Sequence, residues 1–247
     1  MSRSRPLRLL TANGECRAGH VDIDRTHPEM REAVKMLRLL TVLALLASPW
    51  PAAAEGERAG DFDYYVLALS WTPTWCALEG DARGAPECGA GEGRGFTLHG
   101  LWPQNELGWP SYCRTAASPP TRGQTAAMMD LMGSAGLAFH QWRKHGSCSG
   151  LDAAAYFAAA RAAYGTVTRP AAIRALGHEV TLPASVVEEA FLDANPDLDA
   201  DGVTVTCRAG RVQEVRVCLT KELEPRTCGA DVMRDCDLDR ALLSPVR

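Results

Sequence analysis

Eight cysteines, Cys76, Cys88, Cys113, Cys148, Cys207, Cys218, Cys228 and Cys236, are spread over residues 76–236 of this 247-residue chain. They constrain the fold more than any other feature. An even set of this size, downstream of a stretch that reads as an export signal, implies a framework of disulfides closed in an oxidising compartment. Only folds that bring these positions together two by two remain open, and the residues by themselves do not say which pairs. Zinc binding fits poorly, because no two cysteines have the close spacing of a metal knuckle.

The export reading rests on residues 36–54. A short charged start at Met36-Leu37-Arg38 leads into the apolar run Leu39–Ala47, then Pro49 and Pro51, then the small residues Ala52-Ala53-Ala54. That order is a signal peptide with an A-x-A cleavage site, and the apolar run is well short of the ~20 residues of a membrane span. Residues 1–35, with Cys16, His20 and His27, are polar and aperiodic and read as a non-native upstream extension. The expected mature protein is one catalytic domain over 55–247, periplasmic or secreted, with no stable membrane association after signal removal. Abundant Ala, Arg and Gly point to a high-GC bacterial genome. Removing residues 1–54, with their 8 Lys+Arg and 5 Asp+Glu, leaves 18 basic and 25 acidic side chains, a formal charge of −7. A basic coat for nucleic acid is thereby excluded, so any nucleic-acid chemistry has to come from a local site.

Periodicity predicts an α+β domain. Residues 63–71 are apolar and rich in β-formers, a buried strand ended by Pro73. A Gly/Pro/Glu-rich loop over 78–95 follows, bracketed by Cys76 and Cys88, then a short strand 96–99 stopped by Gly100 and Pro103. Residues 105–123 read as irregular. One helix is predicted over 126–145 with Gly146 as a left-handed cap, a second over 153–164 capped by Asp152, and a third over 184–194. The alternating segments 203–207 and 212–218, joined at Arg208-Ala209-Gly210, read as an antiparallel hairpin.

Histidine carries the chemistry, because residues 55–247 hold only four: His99, His140, His145 and His178. Three of them fall in two dense motifs, Phe96-Thr97-Leu98-His99-Gly100-Leu101-Trp102-Pro103-Gln104 and His140-Gln141-Trp142-Arg143-Lys144-His145-Gly146-Ser147-Cys148. Helical spacing lets His140, Gln141, Lys144 and His145 border one site. RNA cleavage needs one group to take the proton of the 2′-hydroxyl and another to protonate the leaving 5′-oxygen. Two histidines that titrate near neutrality suit both tasks, and Lys144 supplies fixed charge for the phosphorane-like transition state.

These motifs resemble the two active-site segments of the ribonuclease T2 family, written F-T-L-H-G-L-W-P and H-E-W-x-K-H-G-T-C. The segments 69–76 and 214–218 are also similar, so the resemblance runs from about 62 to 236. It implies a disulfide-bonded α+β fold with a central antiparallel sheet flanked by helices. It further implies a metal-free, cofactor-free endoribonuclease that acts on single-stranded RNA and not on DNA, as a monomer. By position, His99 is the general acid, His145 the general base and Lys144 the phosphate stabiliser; His140 contacts phosphate or ribose and Trp102 stacks on a base. Trp109 and Tyr112 are candidates to complete a base pocket. The cleaved ends are a 2′,3′-cyclic phosphate and then a 3′-phosphate. The resemblance also implies the disulfides Cys76–Cys88, Cys113–Cys148, Cys207–Cys236 and Cys218–Cys228. One departure stands out: Gln141 replaces the family's glutamate. A carboxylate there raises the pKa of a neighbouring imidazole, so His145 is expected to stay unprotonated to lower pH. Two other readings compete, a catalytically silent binding protein of the same fold and a metal hydrolase using His140 and His145. The second is weakened by their i,i+5 spacing, off the i,i+4 face of metal-binding helices.

Overall fold

The computed structural model describes residues 57–247. The expected upstream extension and the expected signal peptide, with Cys16, lie outside the described residues. A six-stranded sheet forms the middle of the fold. Strand β1 (Tyr64–Trp71) pairs antiparallel with β2 (Phe96–Gln104) on one side and with β5 (Arg211–Leu219) on the other. Beyond β5 come β4 (Val203–Arg208) and β6 (Ala241–Leu243), and β6 pairs with β3 (Val180–Leu182). All pairings are antiparallel except a single parallel contact between Arg211 and Leu242.

The unbroken apolar run of β1 has a simple cause: both of its faces are covered. Tyr65, Leu67, Leu69 and Trp71 enter the main core, whereas Tyr64 and Val66 join Cys218, Cys228 and Val232 in a smaller cluster on the opposite face. Against the main core pack α1 (Ala135–Lys144), α2 (Ala153–Thr166) and α3 (Ser185–Ala194). Trp71, Phe96 and Phe191 pack there at tilted and edge-on angles, with centroids 4.7 and 5.0 Å apart. Asp152 caps α2 as expected, its side chain accepting from the Ala155 amide at 2.8 Å. The hairpin β4–β5 turns on Ala209 and Gly210, both at positive φ (50° and 74°), the geometry a two-residue hairpin loop demands.

Four disulfides join Cys76 to Cys88, Cys113 to Cys148, Cys207 to Cys236 and Cys218 to Cys228. These are the pairs that the resemblance implies.

Three local expectations are corrected. Strand β2 does not stop at His99 but continues through Gly100 and Pro103 to Gln104. It is an edge strand, where a proline costs no ladder hydrogen bond. Its backbone is partly covered by tyrosines of α2, whose hydroxyls donate to the carbonyls of Leu101 (Tyr156) and Phe96 (Tyr164), both at 2.9 Å. The single helix predicted over 126–145 is broken: short turns at Arg122–Ala126 and Met129–Met132 end at Gly133, φ 79°, and α1 starts afresh with Ser134 as its cap. Gly146 is not a left-handed cap. It opens a 3-10 turn, Gly146–Cys148, and a Cβ there would meet the rings of Trp142 at 2.6 Å and Tyr156 at 2.9 Å. Strands β3 and β6 were not anticipated, being too short to show alternation. Among the described residues, no helix is long and apolar enough to cross a membrane.

Candidate active site

His99 owes its position to a bulge. Ala68 pairs with Gly100 and Leu69 with Leu98, which leaves His99 as an extra residue on β2. Strict alternation from Trp102, which belongs with Val66, would turn His99 toward the helices beside Leu101. The bulge re-aims it to the opposite face. There its Nδ1 meets Oε2 of Glu214 at 2.5 Å. Glu214 stands across β1 from this point, paired with Ser70 in the β1–β5 register. Arg216 Nε donates to its other oxygen at 2.8 Å, and Ser70 Oγ lies 3.5 Å from Oε2. Burial pushes the Glu214 carboxyl up, but hydrogen bonds and charge from His99 and Arg216 outweigh it and hold the group below its ordinary range. An ionised carboxylate only accepts, so Nδ1 carries the proton and Nε2 is left for the cleft.

The second histidine is reached through an indole. Gln141 is buried on α1, and its Oε1 accepts from Trp102 Nε1 at 2.7 Å. Because an indole N–H can only donate, the amide oxygen is fixed there and the NH2 is the free end. Trp102 then stacks on His145, centroids 5.1 Å apart and planes 23° from parallel, and meets His99 edge-on at the same centroid distance. One indole thus joins both imidazoles.

His145 follows directly on the last residue of α1 and is 5% exposed. Its Nδ1 is buried and has no hydrogen-bond partner among the described residues. Burial, then the charges of Lys144, His99 and His140, push its pKa down to about 3. Measured from an ordinary histidine near 6.5, that is worth several kcal/mol. A helix C-terminus favours the cation by at most ~2 kcal/mol and an indole face by about 0.5–2 kcal/mol. Each is smaller than the shift, so the neutral ring prevails. The causes of the shift are burial and those three charges; position 141 is not among them.

His140 is exposed, its pKa lowered by desolvation and then by Lys144, His99 and Arg143. A cleft of about 680 Å³ opens beside His99 and His140 and runs over Ser70, Thr97 and Leu137 toward Arg208. Near the end of α1, the Tyr112 amide donates to the Lys144 carbonyl at 2.9 Å. Tyr112 takes a left-handed φ of 51°, and its side chain and that of Trp109 are exposed.

The family model for the ribonuclease T2 family matches residues 62–228. The chain belongs to the ribonuclease T2 family. A ribonuclease of Aeromonas hydrophila is 43% identical over 120 residues, covering 47% of this chain and 53% of the relative. Ribonuclease I of Escherichia coli is 31% identical over 144 residues, covering 42% and 54%. The chain thus spans about half the length of the curated relatives it matches. Among solved structures, an RNase-related protein from Calystegia sepium superposes with a TM-score of 0.58 at 20% identity, covering 74% of this chain and 97% of the other. RNase NT, solved with 5′-AMP, gives 0.50 at 22% identity, covering 68% and 96%. These likenesses concern the fold.

Within this T2-family chain, the expected residues His99, Trp102, Gln141 and His145 come together, with His140 and Lys144 close enough to bias His145 electrostatically. The Trp102 ring contacts both His145 and His99, and the Arg216 guanidinium lies 5.4 Å from its centroid. The residue missed altogether is Glu214. Alternation in β5 puts Val215 and Val217 in the main core and gives Glu214 to the other face, which in an isolated hairpin reads as solvent. Its place in a motif-like segment was the one available signal.

Proposed function

We propose that this protein is an exported endoribonuclease that cleaves single-stranded RNA by transesterification, with His145 as general base and His99 as general acid. The observation that carries this reading is the pair of imidazoles on one indole, one backed by Glu214 and the other kept neutral by burial. His145 takes the proton of the 2′-hydroxyl, the 2′-oxygen bonds to phosphorus, and the bond from phosphorus to the 5′-oxygen breaks. His99 gives its Nε2 proton to that oxygen. Lys144 and the NH2 of Gln141 are assigned to the charge that gathers on the phosphate oxygens, and His140 to phosphate or ribose. The exposed rings of Tyr112 and Trp109 offer stacking faces for bases. The product is a 2′,3′-cyclic phosphate; opening it to a 3′-phosphate, the second reaction that the family resemblance implies, requires the same two histidines in reversed roles.

The test is cleavage of matched RNA and DNA strands in EDTA. RNA is expected to be cut and DNA, which lacks the nucleophile, left whole. The profile of kcat/KM against pH is expected to be bell-shaped. Because His145 must be neutral and holds its proton only below about pH 3, the acidic limb falls far below the ordinary histidine value. His99→Phe and His145→Phe each remove nearly all activity, whereas His140→Ala retains more. DNA cleavage, or activity lost to the chelator and restored by zinc, overturns the mechanism. Gln141 favours one other reading, a silent binding protein, which would show as an inert wild type made active by Gln141→Glu.

A further inference from the structure

Resting on that reading, we propose that this enzyme stops at the cyclic phosphate: Gln141 and the buried, partnerless Nδ1 of His145 block ring opening, so the released product is RNA with 2′,3′-cyclic ends. Hydrolysis requires water to attack phosphorus, the bond to the 2′-oxygen to break, His99 to take the water's proton, and an imidazolium at His145 to protonate the 2′-oxygen. The first reaction leaves the histidines in this very state, with the proton on His145 and His99 neutral. What matters is whether His145 can keep that proton until the attack.

The surroundings of the two rings differ sharply. His99 has a buried carboxylate on Nδ1, and that carboxylate is held in turn by Arg216. His145 has no such partner. Its Nδ1 is buried without an acceptor among the described residues, and Lys144, His99 and His140 are the charged neighbours that act on it, all of them cationic when protonated. Gln141, the residue one helical turn earlier, spends its oxygen on Trp102 and presents only its NH2. Among the described residues the stacked indole and the C-terminal end of α1 favour a charged ring, and the indole also lies beneath the Arg216 guanidinium. An imidazole that releases its proton at about pH 3 is protonated in roughly one molecule in 10⁴ at neutral pH. The proton from the first step therefore leaves for solvent, the enzyme resets for another cleavage, and the cyclic phosphate departs unopened. The reaction that consumes this product must be of a separate class, a 2′,3′-cyclic phosphodiesterase that adds water to the ring.

The experiment follows both reactions of the wild-type protein in EDTA: cleavage of single-stranded RNA, with the new ends identified by mass spectrometry, and opening of purified cytidine 2′,3′-cyclic phosphate. Cyclic ends are expected to persist at least 100-fold longer than complete cleavage takes. Gln141→Glu, which restores a carboxylate beside Trp102 and His145, is expected to raise ring opening relative to cleavage by tenfold or more. In the wild type, 3′-phosphate ends forming within tenfold of the cleavage rate overturn this inference while leaving the nuclease reading intact. So does a Gln141→Glu protein that cleaves RNA with the ratio unmoved. RNA left uncut by the wild type overturns both. Should the variant not fold, the wild-type ratio decides alone.

Discussion

Glu214 and Gln141 divide the labour of the site in a way neither residue type announces. A carboxylate buried to 2% exposure is tolerable only if paired, and Glu214 is paired twice, to His99 and Arg216. It touches no reacting atom, so it is a positioning residue for His99. Glu214→Gln is expected to lower kcat by about 10²–10⁴-fold, the scale on which a wrongly held tautomer costs a histidine its function, with KM changed less than about threefold. The downfield NMR resonance of the His99 Nδ1 proton is expected to vanish with it. A purely structural role would instead show as lost melting temperature with that resonance retained.

At the level of elements, the site depends on two local irregularities, the bulge that turns His99 over and the turn that ends α1 at His145. Gly146 makes the second possible by close approach: its missing side chain is what lets the rings of Trp142 and Tyr156 come together under the turn. Gly146→Ala is therefore an overpacking change with rigid, buried neighbours, expected to cost about 1–3 kcal/mol. Gly165 near the end of α2 is the control, since a Cβ there meets nothing within 4 Å. Gly165→Ala is expected to add up to ~1 kcal/mol by lowering the entropy of the unfolded chain. Denaturant midpoints for the two variants shifting in the same direction would refute this assignment.

In the whole molecule, the disulfides do more than close loops. Cys113–Cys148 and Cys207–Cys236 enclose segments of similar length, with separations of 35 and 29 residues. The chain-entropy model assigns each about 3–4 kcal/mol. Only the first ties the segment carrying Trp109 and Tyr112 to the turn beside His145, where the Cys148 amide donates to the His145 carbonyl at 2.9 Å. Replacing either pair by serine is expected to lower the melting temperature by a similar amount, on the order of 10 °C. RNA cleavage at 25 °C should fall tenfold or more only when Cys113 and Cys148 are lost. Equal effects of the two replacements on cleavage would show that the first bridge has no special hold on the site.

The sequence by itself determined much of this. Alternation and apolar runs located β1 and the β4–β5 hairpin, Asp152 marked the start of α2, and the two histidine motifs named the family and most of the candidate site. Those are signals of neighbours in sequence: period, cap, turn and motif. What it could not express were facts about partners brought from afar. Pro103 sits in a strand because that strand lies at an edge. Gly146 is needed because two rings meet there, not because the backbone is left-handed. Glu214 is buried because a face that alternation assigns to water is covered by His99 and Arg216. Each outcome depends on what packs across the sheet, and burial sets the charge a residue can carry. Only the tertiary structure could decide that His99 meets a buried carboxylate while His145 is buried without a partner for its Nδ1.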